Sequence, residues 1–155
     1  VRGIETSRQP LRVIVDSRLQ MPPSARLLQQ HGTAIYTAMQ DAQKIAALEQ
    51  AGARVMVLPD ANGQVDAAAV LRDLAAQGCN EVLVEAGRLL NGALLQAGLV
   101  DELVLYMAPQ LLGDRARGMA QLGELTMLDQ RIELEWQDVR NVGKDLRIVA
   151  RARHK

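Results

Sequence analysis

The chain has 155 residues, with 18 basic and 18 acidic side chains, so its formal net charge is zero. A neutral balance produces no summed positive field, which argues against nucleic acid and an anionic membrane surface as partners. The length predicts a single domain over residues 1–155, and the 48% hydrophobic content, almost all of it aliphatic, is enough to build one core.

The sequence also limits the cellular setting and the metal chemistry. No apolar run approaches the ~20 residues that span a bilayer, and no signal peptide is recognisable, so a cytoplasmic location is predicted. Cys79 is the only cysteine, and His31 and His154 are the only histidines, which predicts neither a disulfide nor a metal site. Cys79 is expected to be an inert residue near a helix end. The chain starts at Val1 rather than at Met, which suggests a fragment.

The first half of the sequence alternates between strand-like and helix-like segments. Short β-branched or apolar runs predict strands at Leu11–Asp16, Thr33–Thr37 and Arg54–Leu58. Apolar residues at helical spacing predict two helices, with Asp41 and Asp66 as N-caps and Gly52 and Gly78 as C-terminal stops. A turn is predicted at Asn62–Gly63.

The alternation continues past the second helix. A strand is predicted at Glu81–Glu85, a helix at Arg88–Ala97 stopped by Gly98, and a further strand at Leu103–Ala108. Strands that alternate with helices of about three turns predict parallel strands joined by right-handed crossovers.

The pattern changes after Pro109. A glycine-containing loop spans Leu112–Gly118, and apolar and polar residues then alternate through residues 132–137, which predicts a half-exposed strand. Asn141–Lys144 predicts a turn into a strand at Asp145–Ala152, which gives a C-terminal antiparallel hairpin. Arg147, Arg151, Arg153 and Lys155 form a basic stripe that is typical of a solvent-facing strand.

The segment EVLVEAGRLLNG, residues 81–92, is the best candidate for a ligand site. In open α/β sheets, ligands bind beyond the carboxyl ends of the parallel strands, where helix N-termini present free N–H groups. The predicted strand brings Glu85 to that edge, and Gly87 lets the backbone approach a phosphorylated ligand. Gly87 could instead be merely a tight turn. A buried carboxylate without a partner would be costly, so Glu85 is expected to bind either a ligand or a hydrogen-bond donor of the protein itself. Gly92 permits close contact with the helix.

Other candidates are weaker. Ser17 ends the first predicted strand and could reach a phosphate or a ribose hydroxyl, or could be satisfied by its own turn. Arg2, Arg18 and Arg88 could pair with phosphate, although a lone arginine is usually solvated. The sequence has no nucleophile elbow, no phosphate-binding P-loop and no zinc-deaminase signature. Backbone amides, one carboxylate and a few arginines are typical of a site that leaves the chemistry to a bound cofactor.

The run VEAGRLLNGALLQAGLVDELVLYMAPQLLG, Val84–Gly113, resembles the reductase domain of the bifunctional riboflavin-biosynthesis deaminase/reductase family. The resemblance extends back to LRVIVDS, Leu11–Ser17, and forward to VGKDLRIVA, residues 142–150. It implies a dihydrofolate-reductase-like three-layer α/β fold, with a mostly parallel central sheet flanked by helices and a C-terminal antiparallel hairpin. It also implies a homodimer and a fused zinc deaminase domain.

The resemblance implies a reaction in which NADPH reduces the ribosyl group of 5-amino-6-(5-phosphoribosylamino)uracil to the ribityl chain. It places Glu85 at the substrate as the catalytic carboxylate, and Arg2 at the substrate phosphate. The residues that it places at the cofactor are Ser17, Gly87, Arg88, Leu89, Leu90, Asn91, Gly92 and Ala93. Metal ligands are not implied.

This chain departs from the family pattern in two places. Arg88-Leu89 replaces a common Pro-Thr or Ser-Thr pair, which exchanges a phosphate-binding hydroxyl for a cation and leaves cofactor preference open. The family's first strand, with a Lys and a Ser-Leu-Asp-Gly turn, does not precede Val1. A dinucleotide-binding module without catalysis is therefore the alternative. A dihydrofolate reductase proper is disfavoured, because its early helix with the folate-site carboxylate is not found.

Overall fold

The computed structural model describes residues 9–29, 32–128 and 131–153. The backbone divides into two compact units, residues 1–79 and 80–155. Arg2, His31 and His154 lie outside the described residues. No helix in the described ranges is long and apolar enough to cross a membrane.

The first unit contains a parallel sheet of three strands. The strands are β1 (Arg12–Val15), β2 (Thr33–Thr37) and β3 (Ala53–Val57), and their order in the sheet is β1-β2-β3. The ladder pairs Arg12 with Thr33 and Thr33 with Ala53. All three strands lie where the sequence predicted them, within one residue at each end, and their parallel pairing is confirmed.

Two helices cover these strands. They are α1 (Ala42–Gln50), which connects β2 to β3, and α2 (Ala67–Ala76), which follows β3. A short 3-10 helix at Arg26–Gln29 was not predicted. The caps are as predicted: the Asp41 carboxylate accepts from the Lys44 amide at 3.0 Å, and the Asp66 carboxylate accepts from the Ala69 amide at 2.9 Å.

The core of the first unit lies on both faces of β2, all five residues of which are buried. Ile35 belongs to the cluster on one face, and Ala34 and Tyr36 belong to the other, because successive strand residues point to opposite sides. The first cluster includes Leu48 of α1, and the second includes Val70 and Leu74 of α2. This unit therefore has the predicted three layers of helix, sheet and helix. Cys79 follows α2 and packs against the second cluster.

One polar network ties the sheet to α2. The Tyr36 hydroxyl donates to the Asp73 carboxylate at 2.6 Å, and the Gln77 amide donates to the same oxygen at 2.6 Å. Arg54 on β3 reaches this carboxylate at 3.4 Å. Burial, followed by the hydrogen bond to Asp73, raises the pKa of the Tyr36 hydroxyl above its usual value.

This network predicts a specific stability profile for Tyr36→Phe. Below about pH 10 the tyrosine is protonated in both states, so the variant should lose about 1–2 kcal/mol, the value of a hydrogen bond to a partly exposed charged group. Above that pH the unfolded wild type ionises first, so wild-type stability should fall through the raised pKa and the difference should shrink. Urea denaturation of both proteins from pH 7 to 11 measures this difference in the free energy of unfolding.

The matched control is Tyr106→Phe, because Tyr106 is exposed in the folded protein. This variant should change stability by less than about 0.5 kcal/mol. A Tyr36→Phe deficit that stays constant up to pH 11 would contradict the assignment.

The second unit combines one helix with an antiparallel sheet. Helix α3 covers Arg88–Gln96, and the strands are β4 (Glu102–Met107), β5 (Leu134–Val142) and β6 (Asp145–Ala152), in the order β4-β6-β5. The predicted C-terminal hairpin is confirmed. Its turn is tighter than expected, because Val142 pairs directly with Asp145 and only Gly143 and Lys144 remain in the loop.

The structure corrects two predictions in this unit. Residues 81–87 precede α3 without belonging to a ladder, so Glu81–Glu85 is not a strand. An apolar run alone does not make a strand, which needs a hydrogen-bonded neighbour, and Leu83 is 82% exposed. In addition, β4 pairs antiparallel with β6 rather than extending a parallel series. This register puts Leu103 and Leu105 opposite Ala150 and Ile148, which aligns the apolar faces of the two strands.

Candidate functional site

Helix α3 begins without a side-chain cap. Its N-cap is Gly87, with extended backbone angles of φ −82° and ψ 171°, and among the described residues no side chain caps the first amides. Helices α1 and α2 differ, since aspartates occupy their N-caps. A methyl group placed on Gly87 would meet nothing within 4 Å. The first turn of α3 therefore presents amides and the positive end of the helix dipole to an external acceptor.

Glu85 lies two residues before this N-cap and is exposed. Glu85 neither ends a strand nor is buried, so no charge is buried there. The prediction that Glu85 needs a partner because it is buried is therefore wrong. The other part of the prediction holds, because an exposed carboxylate lies next to the uncapped N-terminus of α3. This combination can bind a ligand that carries both an anionic group and a hydroxyl or developing positive charge.

The other predicted cofactor residues of α3 face different surroundings. Arg88, Leu89 and Ala93 are exposed, Leu90 and Asn91 are half-buried, and Gly92 is buried. The Asn91 side-chain amide donates to the backbone carbonyls of Met119 at 2.9 Å and Ala86 at 3.3 Å. The predicted close approach at Gly92 is found, and its partner is the backbone of Gln121.

Ser17 and Arg18 lie in the first unit, directly after β1. The Ser17 hydroxyl oxygen accepts from the Val65 amide at 3.1 Å, which leaves its hydrogen as a donor for another group. Arg18 is exposed and forms no ion pair with the described residues. Arg2 lies outside the described residues, so its predicted substrate contact is untested.

Two arginines of the predicted basic stripe, Arg147 on β6 and Arg153 just after it, pair with carboxylates of β5, and Lys155 lies outside the described residues. Arg147 donates to Asp138 at 2.9 Å, and Arg153 donates to Glu135 at 3.2 Å. Ion pairs of this kind account for the stripe as an ordinary strand surface. Within the described ranges, no group of three or more His, Cys, Asp or Glu side chains is placed to hold a metal ion.

The model of the RibD C-terminal domain family matches residues 1–148. This chain belongs to that family. It is 37% identical over 139 residues to the riboflavin biosynthesis protein RibD of Escherichia coli, covering 90% of this chain and 37% of that protein. It is 28% identical over 142 residues to the 5-amino-6-(5-phosphoribosylamino)uracil reductase of Buchnera aphidicola, covering 92% of this chain and 67% of that protein.

A solved structure agrees with this assignment. The RibD of Acinetobacter baumannii has a TM-score of 0.81 at 28% identity, with 99% of this chain and 41% of that chain covered. The chain thus spans well under half the length of the RibD proteins that it matches.

In this RibD C-terminal domain, sequence reasoning missed the structural role of Asp16. Its carboxylate accepts from the backbone amides of Gln20 at 2.7 Å, Met21 at 2.8 Å and Arg18 at 3.3 Å. These bonds hold a tight turn in which the buried Leu19 adopts a positive φ of 48°. The signal was available, since an aspartate at a strand end commonly bonds the amides that follow it.

Asp16→Ala should therefore destabilise the RibD C-terminal domain by about 1–3 kcal/mol, because three amides lose a charged acceptor in a partly exposed turn. Chemical denaturation measures the change. Asp114→Ala is the control, since Asp114 is exposed, and it should stay within about 0.5 kcal/mol of wild type. Equal effects of the two substitutions would show that the Asp16 turn does not stabilise the fold.

Proposed function

We propose that this domain is an NADPH-dependent oxidoreductase of riboflavin biosynthesis. Its substrate would be 5-amino-6-(5-phosphoribosylamino)uracil, whose ribosyl group is reduced to the ribityl chain. Membership of the RibD C-terminal domain family and the reductase named among its relatives support this proposal. The observation that carries it is the uncapped start of α3 at Gly87, two residues after the exposed Glu85.

The residues at this turn fit a dinucleotide phosphate. The first amides of α3 lack a side-chain acceptor, and the space beside Gly87 is open, so an anionic oxygen can approach the backbone closely. Arg88, exposed at the first helical position, adds a cation that can pair with phosphate. When bound, NADPH supplies the hydride, and the protein supplies orientation and electrostatics. By family resemblance, the Ser17 hydroxyl donates to the cofactor as well.

Glu85 is proposed to face the sugar of the substrate. Ring opening breaks the ribose carbon–oxygen bond at the carbon that bears the amine, the amine nitrogen forms a double bond to that carbon, and the ring oxygen takes up a proton. Positive charge develops at this carbon as the bond breaks, and the hydride then adds to it. A carboxylate beside that carbon stabilises the developing charge, and this stabilisation is present in the transition state and absent from the neutral substrate. The family pattern adds Arg2 as the cation that holds the substrate phosphate.

Gly87→Asp should weaken NADPH binding by at least about tenfold, because a carboxylate at the N-cap would occupy the amides and repel phosphate. The melting temperature should not fall, since Asp41 and Asp66 cap α1 and α2 in the same way. Fluorescence titration with NADPH gives the affinity. Gly87→Ala adds a methyl group in open space without a cap, and it should change the affinity less than about threefold.

If Gly87→Asp bound NADPH as tightly as wild type, the phosphate would not be at this turn. Equal losses for Gly87→Asp and Gly87→Ala would point to a purely steric effect and would also contradict the proposed contact.

Glu85→Gln should slow the single-turnover oxidation of NADPH by at least about tenfold, with NADPH affinity little changed, because the neutral amide cannot stabilise the charge that develops as the ribose ring opens. Single-turnover loss of NADPH absorbance in the intact protein measures the step. Glu81→Gln is the matched control, another exposed glutamate on the same segment, and should react at the wild-type rate.

A Glu85→Gln rate within about threefold of wild type, under one kcal/mol in the barrier, would remove Glu85 from the mechanism. Wild-type protein that binds NADPH but never oxidises it with the pyrimidine substrate would instead be a nucleotide-binding module.

Four further proposals rest on the resemblance. They are a single reductase domain over residues 1–155, a homodimer, a cytoplasmic location and a fused zinc deaminase domain. The chain spans 37% of the Escherichia coli RibD, which leaves room in that relative for a second domain.

A further inference from the structure

A segment of irregular backbone, Met119–Leu122, lies directly against α3; it is called the docked segment here. At its centre is Gln121, whose backbone occupies the space where a side chain of residue 92 would be. A Cβ on Gly92 would come within 2.1 Å of the Gln121 carbonyl oxygen and 2.8 Å of its carbonyl carbon and amide nitrogen. Real Cβ contacts are never this short, so only glycine at position 92 is compatible with the docked segment.

Three hydrogen bonds hold the docked segment along the helix. The Gln121 amide donates to the Arg88 carbonyl at 2.9 Å, and the Asn91 side chain donates to the Met119 carbonyl at 2.9 Å. The Gln96 side chain donates to the Leu122 carbonyl at 2.7 Å. Contacts at residues 88, 91, 92 and 96 recur at intervals of three or four, so they lie along one side of α3.

Asn91 links the docked segment to the ligand turn. Its side-chain nitrogen carries two hydrogens, and it donates to Ala86 as well as to Met119. Ala86 lies between Glu85 and Gly87, so this one amide fixes the backbone that presents both proposed ligand-binding groups. The nitrogen then has no further hydrogen to offer to a cofactor.

We infer that Asn91 and Gly92 are positioning residues, which fix the Glu85–Gly87 turn by holding the docked segment on α3 rather than by touching the cofactor. This inference rests on the proposed function. The predicted cofactor residues of α3 then have two roles. Gly87 and Arg88 bind the phosphate, whereas Asn91 and Gly92 fix the position of the turn that carries them. The turn presents the amides that bind the phosphate and also carries Glu85, so its displacement raises KM for NADPH and lowers kcat as well.

The test uses Gly92→Ala and Gln96→Ala, with Asn91→Ala for comparison, in the intact protein with NADPH and the pyrimidine substrate. Gly92→Ala should raise KM for NADPH by at least about tenfold and lower kcat by at least about threefold, whereas partial unfolding alone would lower kcat and leave KM unchanged. Gln96→Ala removes only the far hydrogen bond of the docked segment, and should raise the same KM about threefold. Gly118→Ala is the control, because its added Cβ has only an ordinary contact at 3.8 Å, and it should match wild type.

A second readout does not need activity. Arg115 and Arg117 are exposed just before the docked segment, so trypsin cleavage after them reports how firmly the segment is held. Cleavage should be faster in Gly92→Ala and Gln96→Ala than in Gly118→Ala. If Gly92→Ala fails to fold, Gln96→Ala alone decides, because alanine is a good helix former at an exposed position.

The outcomes are distinct. Wild-type KM for NADPH and wild-type cleavage in both variants would overturn the inference, as would a lower melting temperature with KM unchanged. A KM increase confined to Asn91→Ala, and absent from Gly92→Ala and Gln96→Ala, would mean direct contact of Asn91 with the cofactor and would also overturn it. A wild-type protein that does not turn over would refute the proposed function, while the cleavage rates would still test the docked segment.

Discussion

An α-helix begins with backbone amides that its own hydrogen-bond pattern cannot satisfy, and the proposed chemistry of this chain depends on where those amides find acceptors. Asp41 and Asp66 satisfy them in α1 and α2. Helix α3 begins at Gly87 with no side-chain cap, so its amides are left for a ligand or for solvent. Among the described helices, α1 and α2 are capped by aspartates and α3 is not, which is why the ligand is proposed to bind at the start of α3.

The first unit shows why polar residues at a sheet edge cannot be assigned to a ligand by position alone. Asp16 follows β1, but its carboxylate is used by three backbone amides of its own turn. Asp60 follows β3, and its carboxylate accepts from the amides of Asn62 and Gln64. Ser17 differs, because its oxygen accepts from Val65 while its hydrogen stays available. The partners of each group, rather than its place in the fold, decide which can still bind a ligand.

Local patterns predicted most of the fold because local physics decides most of it. Aspartate caps, glycine stops and β-branched runs located β1, β2, β3 and all three described α-helices, and alternation located the C-terminal hairpin. The failures concern partners that a local pattern does not contain. Residues 81–85 have the composition of a strand but no ladder, and β4 pairs antiparallel because β6 offers a matching apolar face. The burial argument for Glu85 failed with the strand on which it depended.

The candidate site was predictable to the same extent. The glycine at the helix start and the carboxylate before it could be read from EAGRLL, because both act through backbone geometry close in sequence. The docked segment could not, because Asn91 and Gly92 find their partners about 28 residues further along the chain, in a stretch without regular structure. A motif of consecutive residues can contain both residues that bind the ligand and residues that hold the backbone in place. Only the contacts of each residue show to which group it belongs.

Gly92 shows how strictly a facing backbone can restrict the side chain at one position. A hydrogen-bond donor such as Asn91 can be replaced at the cost of one interaction, because water or a neighbouring group can take its place. A backbone-to-backbone contact that excludes even a methyl group has no such substitute, since either the helix or the facing chain must move. Any movement of α3 is also a movement of the amides at its N-terminus, which lie a little over one turn from Gly92. A residue that touches no ligand can therefore be as restricted in sequence as one that does.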